Sequence, residues 1–168
     1  MDDTIQLAHG AGGRMSAKLT EEVVRPILAN PILDRMHDGA VLDVHGKIAF
    51  TTDSYVVAPR FFPGGSIGRL AVCGTVNDLA MTGAEAKYIS LALILEEGLA
   101  VEEFVRVLKD VRAAADEAGV KIVTGDTKVV GHGQCDGIFI NTAGIGLRLP
   151  NVNISIKNVK PGLKILIN

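Results

Sequence analysis

The sequence predicts a domain in which a mixed β-sheet carries helices packed on a face. Strand-like and helix-like segments alternate along the chain, the pattern of a layered sheet-and-helix domain. Apolar residues make up 48% of the 168 residues, enough to fill a core and offset the entropy of ordering the chain. One segment, KYISLALIL at 87–95, is apolar almost throughout, as a strand buried on both faces is.

In chain order, the Gly-rich start LAHGAGGRMS (7–16) has no period and is expected to be a loop. Ser16 is placed to cap a helix over 17–30. Leu19, Val23 and Ile27 keep helical spacing there, and Pro26 kinks or shortens the run. GAVLDV (39–44) and KIAFTTDSYVV (47–57), separated by His45-Gly46, read as a β-hairpin in which Ile48, Phe50 and Thr52 alternate with Ala49, Thr51 and Asp53. APRFFPGGS (58–66) is a Pro/Gly loop. Ser66 caps a second helix over 67–82, which Gly83 stops.

After the strand at 87–95, residues 96–119 give the clearest helix. Phe104, Leu108, Val111 and Ala115 form one stripe, Glu102 and Glu103 complement the first turn, and Gly119 ends it. VKIVTG (120–125) is a short strand, DTKVVGHGQCDG (126–137) a polar loop, and IFINTAGIGLRL (138–149) a strand. The element order is β-β-α-β-α-β-β. NVKPGLKILIN (158–168) makes a Pro-Gly turn and enters an apolar strand with no partner, so the chain is expected to be the N-terminal part of a longer protein.

A net charge of −2 and a pI of about 6.1 provide no basic field for nucleic acid or an anionic membrane. No apolar run is long enough to span a bilayer, and MDDTIQL lacks the basic start of a signal peptide. Cys73 and Cys135 sit in dissimilar settings, which argues against a disulfide framework and for a reducing cytoplasm. Many of the 19 glycines lie beside Asp, Asn, Thr and His, as in loops shaped for a ligand.

Three aspartates share a pattern. Asp53 ends a strand in TTDS, Asp78 lies in VNDLA, and Asp126 follows a strand in TGDTK. Ligands collect at strand ends and in the loops after them. Crowded carboxylates repel unless a cation joins them, and oxygen-rich clusters suit Mg²⁺, which keeps substrate phosphates among its ligands. Each Asp alone is more readily an ordinary turn or cap residue. Asp78 fits that alternative worst, because an unpaired carboxylate in a helix between Val76, Leu79 and Ala80 is costly.

HGAGG (9–13) offers successive backbone N–H groups that can wrap phosphates as a nest. It is not a Walker A loop, and an unstructured tail is the alternative. Lys128, after Gly125-Asp126-Thr127, is placed either to neutralise phosphate or to lie solvated on the surface. His132, Cys135 and Asp136 form a short cluster without the distant second half of a zinc site. Cys73 reads as a small buried hydrophobe. The glycines of GIG (144–146) fit a bulge or close packing. The residues alone thus point to a domain with a Mg²⁺–phosphate site.

Taken together and in order, HGAGG, TTDSYVV, GRLAVCGTVNDLAMTGAEAKY, GDTKVV and GIFINTAGIG resemble the HypE family of hydrogenase maturation factors. That family lies within the ATP-binding superfamily of aminoimidazole ribonucleotide synthetase, selenophosphate synthetase and thiamine-monophosphate kinase. The resemblance runs from His9 to the last residue. It implies an α+β domain of the aminoimidazole ribonucleotide synthetase N-terminal type, a mixed sheet with helices on one face, and a homodimer in which two sheets close into a barrel. By the same resemblance, 1–36 is an N-terminal Gly-rich segment and helix, 37–150 the ATP-binding domain, and 151–168 the linker and first strand of a further domain.

The implied cofactors are ATP and Mg²⁺. Asp53, Asp78 and Asp126 are implied as Mg²⁺ ligands and Asn77 as support for the nucleotide site. His9, Gly10, Gly12, Gly13, Gly125, Asp126, Thr127 and Lys128 are implied as nucleotide-binding residues, with the first glycines over the phosphates. Asp78 and Lys128 are implied as catalytic. The implied reaction is an ATP-dependent dehydration in the cytoplasm. HypF loads a carbamoyl group on a C-terminal cysteine, ATP phosphorylates its carboxamide oxygen, loss of phosphate leaves a thiocyanate, and the cyanide passes to iron on the HypC–HypD complex. Cys135 lies in a mid-chain loop and is not that cysteine. Two alternatives stay open: a sister small-molecule kinase or synthetase, although residues 1–20 lack the reactive cysteine usual in selenophosphate synthetases, and a non-catalytic dimerisation module.

Overall fold

The computed structural model describes residues 3–166. A four-stranded mixed sheet organises them, built from β1 (Ile48–Tyr55), β4 (Ala84–Glu96), β5 (Lys121–Val130) and β6 (Ile138–Arg148) in the order β1-β6-β4-β5. β6 is antiparallel to both its neighbours, whereas β4 and β5 are parallel. A parallel pair needs a crossover, and α4 (Val101–Ala118) supplies it. With α3 (Ile67–Met81) it forms the helical layer: α3 packs on β1, β6 and β4, and α4 packs beside α3 and over β5.

Periodicity explains the burial. α4 buries Phe104, Leu108, Val111 and Ala115, the four residues of the expected stripe. α3 buries Ile67, Ala71, Val72, Thr75 and Leu79. Ser66 caps α3 by accepting the Arg69 N–H at 3.4 Å. The opposite face of the sheet has no helix on it among the described residues, and Ile48 and Phe50 are 54% and 63% exposed there.

The N-terminal segment belongs to the same core. Ile5, Leu19, Val23 and Leu28 are buried in it, and the Ile5 N–H reaches the Leu99 carbonyl at 2.7 Å. A 3₁₀ turn at Leu7–Gly10 leads into α1 (Arg14–Leu19), which passes through a π turn at Thr20–Val24 into α2 (Arg25–Leu28). The widened turn lies immediately before Pro26, where a straight ladder would lose a donor. Ser16 is not the cap: the helix starts at Arg14, and the Ser16 hydroxyl accepts the Gly12 N–H at 2.9 Å.

Four other expectations change. Residues 39–44 pair with nothing, so β1 is an edge strand and no hairpin forms. The helical layer reaches only to β1, and a strand beyond it would have nothing to bury against; Val41 is 78% exposed. The loop at 58–66 contains a small ribbon of β2 (Phe61–Phe62) and β3 (Gly65–Ser66). β5 runs on to Val130 because β4 stays beside it as far as Glu96, so Asp126, Thr127 and Lys128 lie in a strand rather than a loop. The Pro161-Gly162 turn forms, but residues 163–166 are not a strand, and the rest of the expected strand, 167–168, lies outside the described residues.

Candidate functional site

A cavity of about 250 Å³ lies between the N-terminal segment and β5. The two walls touch because residue 10 is glycine: a Cβ there would collide with the Val129 backbone nitrogen. His9, Gly10, Gly12, Ser16, Thr124, Gly125, Asp126, Thr127 and Lys128 form its polar part; Leu19, Val24, Leu28, Leu91, Leu93 and Ile122 contribute an apolar floor. A ligand with both apolar and polar groups suits such walls. Two segments more than a hundred residues apart in the chain, 9–12 and 125–128, thus share one cavity.

The Gly-rich turn is tighter than a free nest. The His9, Ala11 and Gly12 N–H groups are taken by Gln6 O, Ala8 O and Ser16 Oγ. His9 is buried, and its Nδ1 accepts the Gln6 N–H at 2.9 Å. On β5, alternation sets Gly125 and Thr127 beside Leu91 and Leu93, and Asp126 and Lys128 beside Ala92 and Ile94 on the open face. Lys128 Nζ and Asp126 Oδ1 form an exposed ion pair at 3.6 Å.

Asp53 and Asp78 lie at the other edge of the sheet. Asp78 is on the exposed side of α3 and accepts the Thr51 hydroxyl at 2.9 Å. Asp53 is half-buried on β1 and accepts the Tyr55 hydroxyl at 2.8 Å and the Ser54 N–H at 3.2 Å. Gly74 makes room for that phenol, since a Cβ at 74 would overlap its oxygen. Burial raises the Tyr55 phenol to about 12; the charges of Asp53 and Asp78 add to the rise, and the neighbouring Thr75 side chain opposes it. Both carboxylates are therefore felt at one phenol. Asn77 is exposed on α3 beside Asp78.

The expected trio does not assemble within one chain. β1 and β5 are opposite edges with two strands between them, so Asp126 is separated from Asp53 by three interstrand steps, roughly 14 Å. Among the described residues no three His, Cys, Asp or Glu side chains are placed to share a metal ion. The pair of Asp53 and Asp78 still fits Mg²⁺, which takes one or two carboxylates and completes its shell with water and phosphate oxygens. Thr51 and Tyr55 escaped the sequence reading, although the alternation of β1 places Thr51, Asp53 and Tyr55 on one side.

The loop with His132, Cys135 and Asp136 has a structural explanation. Glu96 accepts the Gly133 and Gly137 N–H groups at 2.5 and 2.8 Å, and these bonds hold its carboxyl below the usual range. Burial pushes the Cys135 thiol up, away from the thiolate a metal ligand needs.

The sequence pattern of the AIR synthase related protein N-terminal domain matches residues 36–148. The chain is 46% identical over 170 residues to the carbamoyl dehydratase HypE of Rhodobacter capsulatus, a match covering 99% of this chain and 50% of the relative. It is 44% identical over 172 residues to that of Escherichia coli K12, covering 99% and 51%. The chain thus spans about half the length of the curated relatives it matches. A crystal structure of the hydrogenase maturation protein HypE in complex with ATP superposes with a TM-score of 0.85 at 53% identity, over 87% of this chain and 44% of that one. A structure of a HypE–HypF complex gives 0.67 at 53% identity, over 86% and 47%. The chain belongs to the family of AIR synthase related proteins, whose N-terminal domain it contains.

Proposed function

We propose that the chain is the ATP-binding half of a carbamoyl dehydratase that turns an S-carbamoyl cysteine into a thiocyanate for the iron-bound cyanide of NiFe hydrogenase. The observation that carries this reading is the cavity that gathers His9, Gly10, Gly12, Gly125, Thr127 and Lys128 from two distant segments. Its likeness to a HypE that binds ATP gives the ligand. The γ-phosphoryl group of ATP passes to the carboxamide oxygen, and that oxygen then leaves as phosphate while the nitrogen gives up its protons and the C≡N bond forms. Positioning and charge neutralisation are the protein's part in such a step. HypF is the proposed carbamoyl donor, in line with the HypE–HypF complex of a similar chain, and HypC–HypD the acceptor, in the cytoplasm.

Asp53 and Asp78 are the proposed Mg²⁺ ligands. The open sheet face with Ile48 and Phe50 is the proposed dimer contact, through which two sheets close into a barrel. Asp126, on the opposite edge, can join the same ion only across a subunit boundary. The kinase alternative has less support, because the similar curated chains at 44–46% identity are HypE proteins.

The test uses the full-length protein with HypF, carbamoyl phosphate and Mg-ATP, followed by mass spectrometry of its terminal peptide. The cysteine should gain a carbamoyl group and then lose one water. Asp78→Asn should keep the carbamoyl form and the melting temperature, bind Mg-ATP more weakly and lose the dehydration. A wild-type peptide that never loses water refutes the reading.

A further inference from the structure

We infer that His9 is a fixed hydrogen-bond donor, through Nε2, to a phosphate oxygen of the bound nucleotide. The inference rests on the nucleotide reading of the cavity and assigns one atom a task within it. His9 is only 3% exposed. Its Nδ1 lies 2.9 Å from the Gln6 backbone nitrogen. An amide N–H can only donate, so Nδ1 is the acceptor, and the neutral ring carries its proton on Nε2. The His9 N–H returns to the Gln6 carbonyl at 2.9 Å, so ring and turn lock each other.

Among the described residues Nε2 has no protein partner, and no buried side-chain nitrogen or oxygen is left without one. Nε2 is therefore not sealed inside the protein, and the open space that His9 borders is the cavity. The surrounding turn strengthens the case. The Ala11 and Gly12 N–H groups, which the sequence offered as phosphate donors, are already committed to Ala8 O and Ser16 Oγ. The imidazole N–H is thus an uncommitted donor in the cavity wall, which Thr127 also lines. A donor held in a poorly solvated wall favours a charged acceptor oxygen, to which its hydrogen bond is strongest.

The experiment titrates the full-length protein with Mg-ATP, adenosine and inorganic phosphate by calorimetry. The variants separate the two ring nitrogens: His9→Gln keeps a donor near Nε2, His9→Asn keeps an acceptor near Nδ1, and His9→Ala keeps neither. Loss of a charge-assisted bond predicts ATP affinity down about 10- to 100-fold in the Ala and Asn variants. His9→Gln should recover most of it, and adenosine affinity should be the same in all four proteins. ATP binding unchanged in His9→Ala overturns the inference, as does an effect confined to inorganic phosphate. So does His9→Asn matching wild type while His9→Gln is as weak as Ala, which assigns the ring to holding the turn. A wild-type protein that binds no ATP sinks the proposed function itself, a result distinct from these.

Discussion

Replacing Tyr55 by Phe removes one oxygen atom, and its effect on stability should reverse sign with pH. Tyr55 is 8% exposed and its hydroxyl donates to Asp53 at 2.8 Å. At neutral pH the variant loses a hydrogen bond to a carboxylate, a loss of about 1 kcal/mol because Asp53 is itself half-exposed. At high pH the phenol becomes a liability. Burial first, then the Asp53 and Asp78 charges, lift it from 10.0 to about 12. The unfolded chain gives up this proton near its ordinary value while the folded chain still holds it. Between those values the unfolded state binds fewer protons, so stability falls as pH rises. The stabilisation is complete below the unfolded value and lost through the folded one. Two units correspond to at most about 2.7 kcal/mol, and screening at the half-exposed carboxylates reduces this to about 1–2 kcal/mol.

Phe has no such proton. Wild type should therefore be the more stable protein at neutral pH, and the two should converge above the ordinary tyrosine value and cross at about pH 11, where the linkage loss reaches the roughly 1 kcal/mol of the hydrogen bond. Urea unfolding of both proteins in EDTA, across the alkaline range, measures the difference, in which the lysines cancel. Phenolate absorbance gives a second reading: the chain has two tyrosines, so the variant leaves only Tyr88 and the difference spectrum belongs to Tyr55. Parallel stability curves, or a folded Tyr55 that ionises at the ordinary tyrosine value, would refute the reasoning.

Two further outcomes follow from the sheet. The Thr75 hydroxyl donates to Ala71 O at 2.8 Å; having one proton, it must accept from Thr142 Oγ1 at 2.6 Å. Thr75→Val then strands the buried Thr142 proton and costs about 1–3 kcal/mol, whereas Thr142→Val costs less and the double Val variant recovers part of the loss. Equal and additive single losses in urea unfolding would contradict that direction. On the open face, Phe50→Asp should shift the full-length protein from dimer to monomer in sedimentation, with stability of the monomer changed by no more than about 0.5 kcal/mol. Phe50 is 63% exposed in the single chain, and an unchanged dimer would remove this face as the contact.

The parts of the fold legible in the sequence are those that local pattern decides. α4 announces itself by a stripe and a terminal glycine, and α3 by Ser66 and Gly83, because capping and periodicity act within a few residues. The misread parts depend on distant partners. GAVLDV alternates as a strand should, yet no helix extends past β1 to cover it. DTKVV reads as polar loop, yet β4 is long enough to hold it as a strand. Ser16 looks like a cap, but Gly13 precedes the helix and the hydroxyl serves Gly12 instead.

The same division runs through the candidate site. Asp78 stood out because a carboxylate amid Val76, Leu79 and Ala80 looked desolvated. Helical phase removes that objection: positions 71, 72, 75 and 79 turn inward, and 77 and 78 fall on the outer arc. Its polarity is free of a burial cost, so desolvation cannot be the reason to assign it a function. The stronger reason is relational. Alternation along β1 brings Thr51, Asp53 and Tyr55 to the side that α3 covers, and α3 sets Asp78 within 2.9 Å of Thr51 and Gly74 under Tyr55. Two hydroxyls thus hold two carboxylates at one edge, while Asp126 is held on the opposite edge by its pairing with β4. Spacing along the chain could suggest all three aspartates, but only strand order separates them. That order leaves Asp53 and Asp78 as a pair at one edge of the sheet and sets Asp126 three interstrand steps away from them within the chain.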